Sequence, residues 1–180
     1  MKLDSMKDLY VSVLQDAHDG EMQMIKALPK LARGATSPEL AKAFQSHLEE
    51  TKEQAKRLEQ ILADLGEKPG ANPCEAMEGL VAEGDEMLKA KGDAATRDAG
   101  LIVAAQKVEH YEIAGYGSLC TFARLLGREF DETLLEQCLE EEKHADEALT
   151  ALAEGEINAE ASTASADTKR SGTGRRKSAT

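Results

Sequence analysis

Tyr10, Leu14, Ala17, Glu21, Met24, Leu28 and Leu31 recur at alternating steps of four and three residues, the spacing of one continuous helical seam. The seam predicts a helix over residues 4–32, ended by Gly34-Ala35. Thr36-Ser37-Pro38-Glu39 reads as a cap with Pro in the first turn and an acid complementing the helix dipole. A second helix then runs to residue 65 with Leu40, Phe44, His47, Leu58, Ile61 and Leu65 facing inward, and Gly66 closes it. Gly-Glu-Lys-Pro-Gly-Ala-Asn-Pro at 66–73 is a break. A shorter helix comes next over 74–91 with Met77, Leu80, Val81, Met87 and Leu88 apolar.

After Gly92-Asp93 the first seam returns in a third long helix over 94–126, through Leu101, Ala105, Val108, Glu112, Gly115, Leu119, Phe122 and Leu126. Gly127 stops it, and a fourth helix over 129–153 carries Leu134, Cys138, Glu141, Ala145, Ala148 and Leu152. The fold class is therefore all-α: a four-helix bundle of two antiparallel hairpins, with a long crossover that carries a short extra helix and lets the second and third long helices run parallel. Periodicity ends beyond Gly155. Residues 1–155 are expected to form the bundle and 156–180 a disordered, basic C-terminal tail.

The two halves are related. Residues 15–59 align on 106–150 without a gap at an offset of 91, with 10 of 45 pairs identical. Glu21 falls on Glu112, Leu48-Glu49-Glu50 on Leu139-Glu140-Glu141, and Glu53 on His144. The likeness concentrates on acids in seams, where a buried carboxylate is costly unless it is paired or binds metal.

Glu21 and Glu112 occupy seam positions of the first and third helices. Glu50 and Glu53 lie one turn apart on the second, and Glu141 and His144 one turn apart on the fourth, so each pair can chelate one point. Glu21 to Glu50 and Glu112 to Glu141 are both 29 residues, which sets the acids at one level of the bundle. Carboxylates gathered in a core would have raised pKa values. Two divalent ions would neutralise them, about 3.5–4 Å apart as in two-metal sites. Oxygen-rich ligation with an imidazole suits iron first and manganese as the alternative. The competing explanation, that single seam acids are edge residues paired with Lys or Arg, applies best to Glu53.

Charge changes the picture of partners. The net charge is −12, yet Lys169, Arg170, Arg175, Arg176 and Lys177 give the last segment +5, which leaves −17 on the rest. An acidic body argues against nucleic acid. No stretch approaches the ~18 apolar residues of a membrane span. No secretory leader is expected, and three cysteines without metal-type spacing read as reduced thiols of a cytoplasmic protein.

Glu on one helix and Glu-x-x-His on the next resembles the ferritin-like di-metal carboxylate bundles. Leu48-Glu49-Glu50-Thr51, the stretch Ala104-Ala105-Gln106-Lys107-Val108-Glu109-His110-Tyr111-Glu112-Ile113-Ala114, and Leu139-Glu140-Glu141-Glu142-Lys143 resemble the YciE/YciF family of bacterial ferritin-like stress proteins over residues 4–153. The resemblance implies a cytosolic homodimer linked to stress responses, with no assigned reaction. Glu53 stands where the ferritin pattern has His, so that half-site is all oxygen or recruits His18 or His47. Glu109, one turn before Glu112, resembles the additional Glu of rubrerythrin-type sites, as a ligand or as a neighbour of one. Tyr116 is placed to donate a hydrogen bond near the metals, with core packing as the simpler role.

The expected function is a di-metal protein that protects by reacting with dioxygen or peroxide as an oxidase, peroxidase or catalase. The alternatives are metal sequestration, a structural bundle with a vestigial site, and a DNA-binding miniferritin. Ligands on all four helices argue against the last.

Overall fold

The computed structural model describes residues 3–70 and 73–163 of the chain. Helices α1 (Met6–Gly34), α2 (Pro38–Asp64), α3 (Glu75–Lys89), α4 (Ala94–Leu125) and α5 (Glu129–Leu152) account for most of them, and the described residues contain no strand. The starts are set locally. Ser5 accepts from the Asp8 N–H, Ser37 from Leu40 with Pro38 in the first turn, and Asp93 from Thr96, each satisfying an amide that has no intrahelical partner. Gly66 (φ 76°) and Gly127 (φ 67°) end α2 and α4 in the left-handed region. There Glu67 N–H reaches back to the Leu62 carbonyl and Arg128 N–H to Ala123, both at 2.9 Å, a terminus that favours glycine.

The Thr36 N–H, just past α1, bonds Asp98 near the start of α4. Hence α4 runs opposite to α1 and parallel to α2, the consequence of the long crossover. On that crossover α3 lays Met77, Leu80, Val81, Met87 and Leu88 against the apolar core formed by α1 and α4.

The core has two apolar blocks. One holds Met24, Leu28, Leu31, Leu40, Phe44, Leu101, Val108 and Leu149; the other holds Tyr10, Leu14, Leu58, Ile61, Tyr116, Leu119 and Leu135. Between them, in every long helix, the buried positions turn polar: His18 and Glu21, then His47, Thr51 and Gln54, then Glu109 and Glu112, then Glu142.

Two expectations shift. On α5 the inward face is Asp131, Leu135, Cys138, Glu142 and Leu149, not Leu134, Glu141 and Ala148. Both seams share Cys138, Ala145 and Leu152 and differ by one residue between them. The observed one buries two leucines, Leu135 and Leu149, where the alternative offers Leu134 and Ala148, so apolar area decides the rotation. The helix also does not stop at Gly155. A π-helical turn over Ala153–Ile157 leads into helix through residue 163, and Ile157 is buried against the first block. The expected tail is thus helical over 156–163, while 164–180 lie outside the described residues.

Candidate metal centre

The polar layer contains a tight group. Among the described residues, ligand atoms of His47 (α2), Glu109 and Glu112 (α4) and Glu142 (α5) all lie within 4.8 Å of one another, and all four residues are buried. His47 Nε2 stands 3.5 Å from Glu109 Oε2 and 3.5 Å from Glu142 Oε2. Its Nδ1 faces Glu50 Oε2 at 3.3 Å. Gln54 donates to Glu142 Oε1, and the Tyr116 hydroxyl donates to Glu21 Oε1 in the same layer.

The hydrogen bonds are incomplete. Glu109 Oε2, Glu112 Oε1 and Glu142 Oε2 are buried with no hydrogen-bond partner among the described residues. Other buried acids here are well satisfied. Asp98 accepts from the Thr36 and Ser37 amides, and Asp131 accepts from Tyr10 (3.0 Å) and Arg128. An unmatched buried acceptor costs about 1–3 kcal/mol, so three gathered in one layer call for protons shared between the carboxyls or for a bound cation. The donor set of carboxylates and one imidazole fits a divalent cation.

Burial, reinforced by neighbouring carboxylates, pushes Glu21, Glu109 and Glu112 well above the usual carboxylate range. Burial opposes charge on His47, but its bond to Glu50 and the proximity of Glu142 outweigh this and raise its pKa. Cys138 adjoins the layer, but burial pushes its thiol up to about 12, which keeps it protonated near neutrality.

The sequence-derived candidates separate. Glu109 and Glu112 are in the cluster, and Glu21 is buried beside it. Glu50 is half-exposed (43%) and touches the cluster only through His47. Glu141 is turned away by the rotation of α5 and makes a bidentate pair with Arg57 at 2.6 and 2.8 Å. Glu53 is 58% exposed and pairs with Lys56, and His144 is exposed. Glu53, Glu141 and His144 are thus not brought to this cluster: all three lie one residue off the buried face of their helix. His18 is buried but points to Glu59 at 3.2 Å. Glu142 is the residue missed. The signal for it was the Leu135-Cys138-Glu142-Leu149 spacing, and its repeat partner Thr51 is buried as well.

Fold and core together define a ferritin-like helical bundle with a buried carboxylate–histidine cluster. At the level of fold alone, a two-domain protein from Anabaena variabilis with DJ-1/ThiJ/PfpI-like and ferritin-like domains matches with a TM-score of 0.58 at 19% identity, over 87% of this chain and 39% of that one. A model of DUF892, a domain of unknown function, matches residues 5–162. Protein YciF of Escherichia coli K12 is 43% identical over 162 residues, covering 89% of this chain and 98% of its own. The crystal structure of that stress protein matches with a TM-score of 0.83 over 87% and 99% of the two chains. YcfI of Rhodopseudomonas palustris is 41% identical with a TM-score of 0.79, over 83% and 95%. The chain belongs to the YciE/YciF family, DUF892.

Among the described residues no helix is long and apolar enough to cross a membrane, and Cys74, Cys120 and Cys138 are free.

Proposed function

We propose that the protein is a carboxylate metalloprotein that binds divalent iron or manganese in its core and protects the cell by reaction with dioxygen or peroxide. The observation that carries this reading is the set of three buried carboxylate oxygens that accept no hydrogen bond, two of them, Glu109 Oε2 and Glu142 Oε2, 3.5 Å from His47 Nε2. His47, Glu109, Glu112 and Glu142 would hold one ion. Glu21, buried in the same layer, would add a carboxylate for a second.

A redox-active ion held there would supply the electrons that reduce the oxidant. The chain's own residues prepare the place. Glu50 engages Nδ1 of His47 and leaves Nε2 directed at the carboxylates, the arrangement by which an outer partner fixes an imidazole's tautomer and angle. Tyr116 restrains Glu21, and Gln54 restrains Glu142. The two apolar blocks pack against the layer at its two ends along the bundle.

The test is elemental analysis after anaerobic loading with Fe(II) or Mn(II). Close to two ions per chain are expected. Anaerobic Fe(II)-loaded protein should then consume peroxide or dioxygen faster than free Fe(II). Full loading without acceleration would leave a metal-binding structural bundle; absence of loading would overturn the reading.

A further inference from the structure

Two cavities meet the polar layer from different sides. One, about 250 Å³, lies between α2 and α5 and is lined by Phe44, His47, Glu50, Glu109, His144 and Leu149 among others. The other, about 270 Å³, lies against α1, α3 and α4 and reaches Glu21 and Glu112 past Asp16, Tyr111 and Tyr116.

Their polar groups differ in what they are free to do. In the second cavity, Asp16 already accepts from Tyr111 (2.8 Å) and Cys74 (3.3 Å) and Glu21 accepts from Tyr116, so only Glu112 at its floor keeps an oxygen without a hydrogen bond, and no free ligand stands between it and the mouth. The first cavity offers an unbroken run of potential ligands from solvent to core. At its surface end stand the half-exposed Glu50 and, on the facing helix, the exposed His144. Next comes His47, bonded to Glu50 through Nδ1. At its inner end is Glu109, 1% exposed, whose Oε2 lies 3.5 Å from His47 Nε2 and accepts no hydrogen bond. Phe44, Ala145, Ala148 and Leu149 make the apolar part of the wall, so an ion within is held only by the run of ligands.

We propose that the α2/α5 cavity is the path by which divalent cations reach the cluster, with Glu50 and His144 as a transient capture pair at its mouth. The proposal rests on the metal-site reading above. A carboxylate and an imidazole on facing helices can take a hydrated divalent ion briefly, and the protein's net negative charge raises the local cation concentration. His47 then receives the ion on its Nε2 side, where the oxygens that accept no hydrogen bond stand. His144, which the cluster itself does not use, acquires a role in the rate of loading rather than in final occupancy, while Glu50 serves at the mouth as well as behind His47.

Stopped-flow Co(II) binding to the full chain, followed by visible absorption, separates rate from stoichiometry. His144→Ala should slow loading about ten-fold, the scale of an electrostatic steering effect, with the final cobalt content unchanged, because His144 lies outside the cluster. Ala148→Phe, which narrows the cavity, should slow it as well. Gly115→Leu in the opposite cavity, where an added Cβ meets nothing within 4 Å, should load at the wild-type rate. Wild-type rates in both α2/α5 variants, or slowing by Gly115→Leu alone, would overturn the path while leaving the site intact. A wild-type protein that takes up no cobalt would overturn the site itself.

Discussion

The α1–α2 hairpin places His18, Glu21, His47 and Thr51 in the polar layer; at the same repeat positions the α4–α5 hairpin places Glu109, Glu112, Cys138 and Glu142. The backbone repeats, but the chemistry does not. The second hairpin contributes three carboxylates, each with an oxygen that accepts no hydrogen bond, and the first contributes one imidazole and one carboxylate held by Tyr116. His18, the counterpart of Glu109, is bonded outward to Glu59. A duplicated frame has thus kept its polar level and concentrated its buried carboxylates in one half. Occupancy should depend more on α4 and α5 than on α1.

That asymmetry is most exposed to attack at two adjacent residues. Glu142→Ala removes a cluster carboxylate from the buried face, whereas Glu141→Ala removes only the partner of Arg57. Elemental analysis should find at least one ion lost from the first variant and none from the second. Equal loss from both, or loss from Glu141→Ala alone, would restore the two-fold symmetric site in which Glu50 and Glu141 are equivalent.

Next in size is the link between ions and stability. Bound metal at a hundred times its Kd contributes about 2.7 kcal/mol, roughly 5–10 °C in Tm for a domain of this size. Chelation should lower the midpoint by that order. Without metal, pH acts in a definite direction. Glu21, Glu109 and Glu112 have folded pKa values above the ordinary 4.5, and a raised pKa gives stability that is complete below the unfolded value and lost as pH climbs through the folded one. His47, also raised, has the same sign. The metal-free midpoint should therefore be higher near about pH 5 than near about pH 8, while metal affinity rises with pH because ions displace the protons. A metal-free midpoint that rises over that range would mean the carboxyls are solvated.

Much of this was legible in the chain because periodicity and punctuation are local. Seam spacing, Ser37-Pro38, Asp93, Gly66 and Gly127 set the helices to within a residue or two. The level of the site was legible too, since Glu21 and Glu112 interrupt otherwise apolar seams. The rotation of α5 was not. A heptad anchored on Cys138 accepts either Glu141 or Glu142 as its next inward position, and only the area buried by Leu135 and Leu149 against the other helices selects one. Arg57, 84 residues away in sequence, is what gives Glu141 its alternative place. The role of His47 was ambiguous for the same reason: its partners Glu109 and Glu142 come from the other hairpin.

At the C-terminus the contrast is between the bundle and the helical extension beyond Gly155. Ile157 is 4% exposed in the block that holds Leu40 and Leu149, and burying such a side chain contributes about 1.5–3 kcal/mol. Ending the chain after Gly155 should lower stability by that amount in chemical denaturation; ending it after Thr163 should not. If both truncations behave alike, the π turn and the segment it leads into do not belong to the cooperative unit.

The smallest effect is expected where the repeat looked most informative. Glu53 and His144 are repeat partners, and a symmetric di-metal pattern would make both ligands. Glu53, however, is exposed and its carboxylate is held by Lys56, which together with nearby Arg57 keeps its pKa below the ordinary value. An exposed pair of this kind contributes little to stability, and its side chain has no path to the cluster on the other side of α2. Glu53→His, which would complete a Glu-x-x-His pair with Glu50 in sequence, should change neither metal content nor the rate at which Fe(II)-loaded protein consumes peroxide. A gain of bound metal or an altered rate in that variant would show that α2 can rotate as α5 does not, and that the two halves are closer to equivalent than their buried faces indicate.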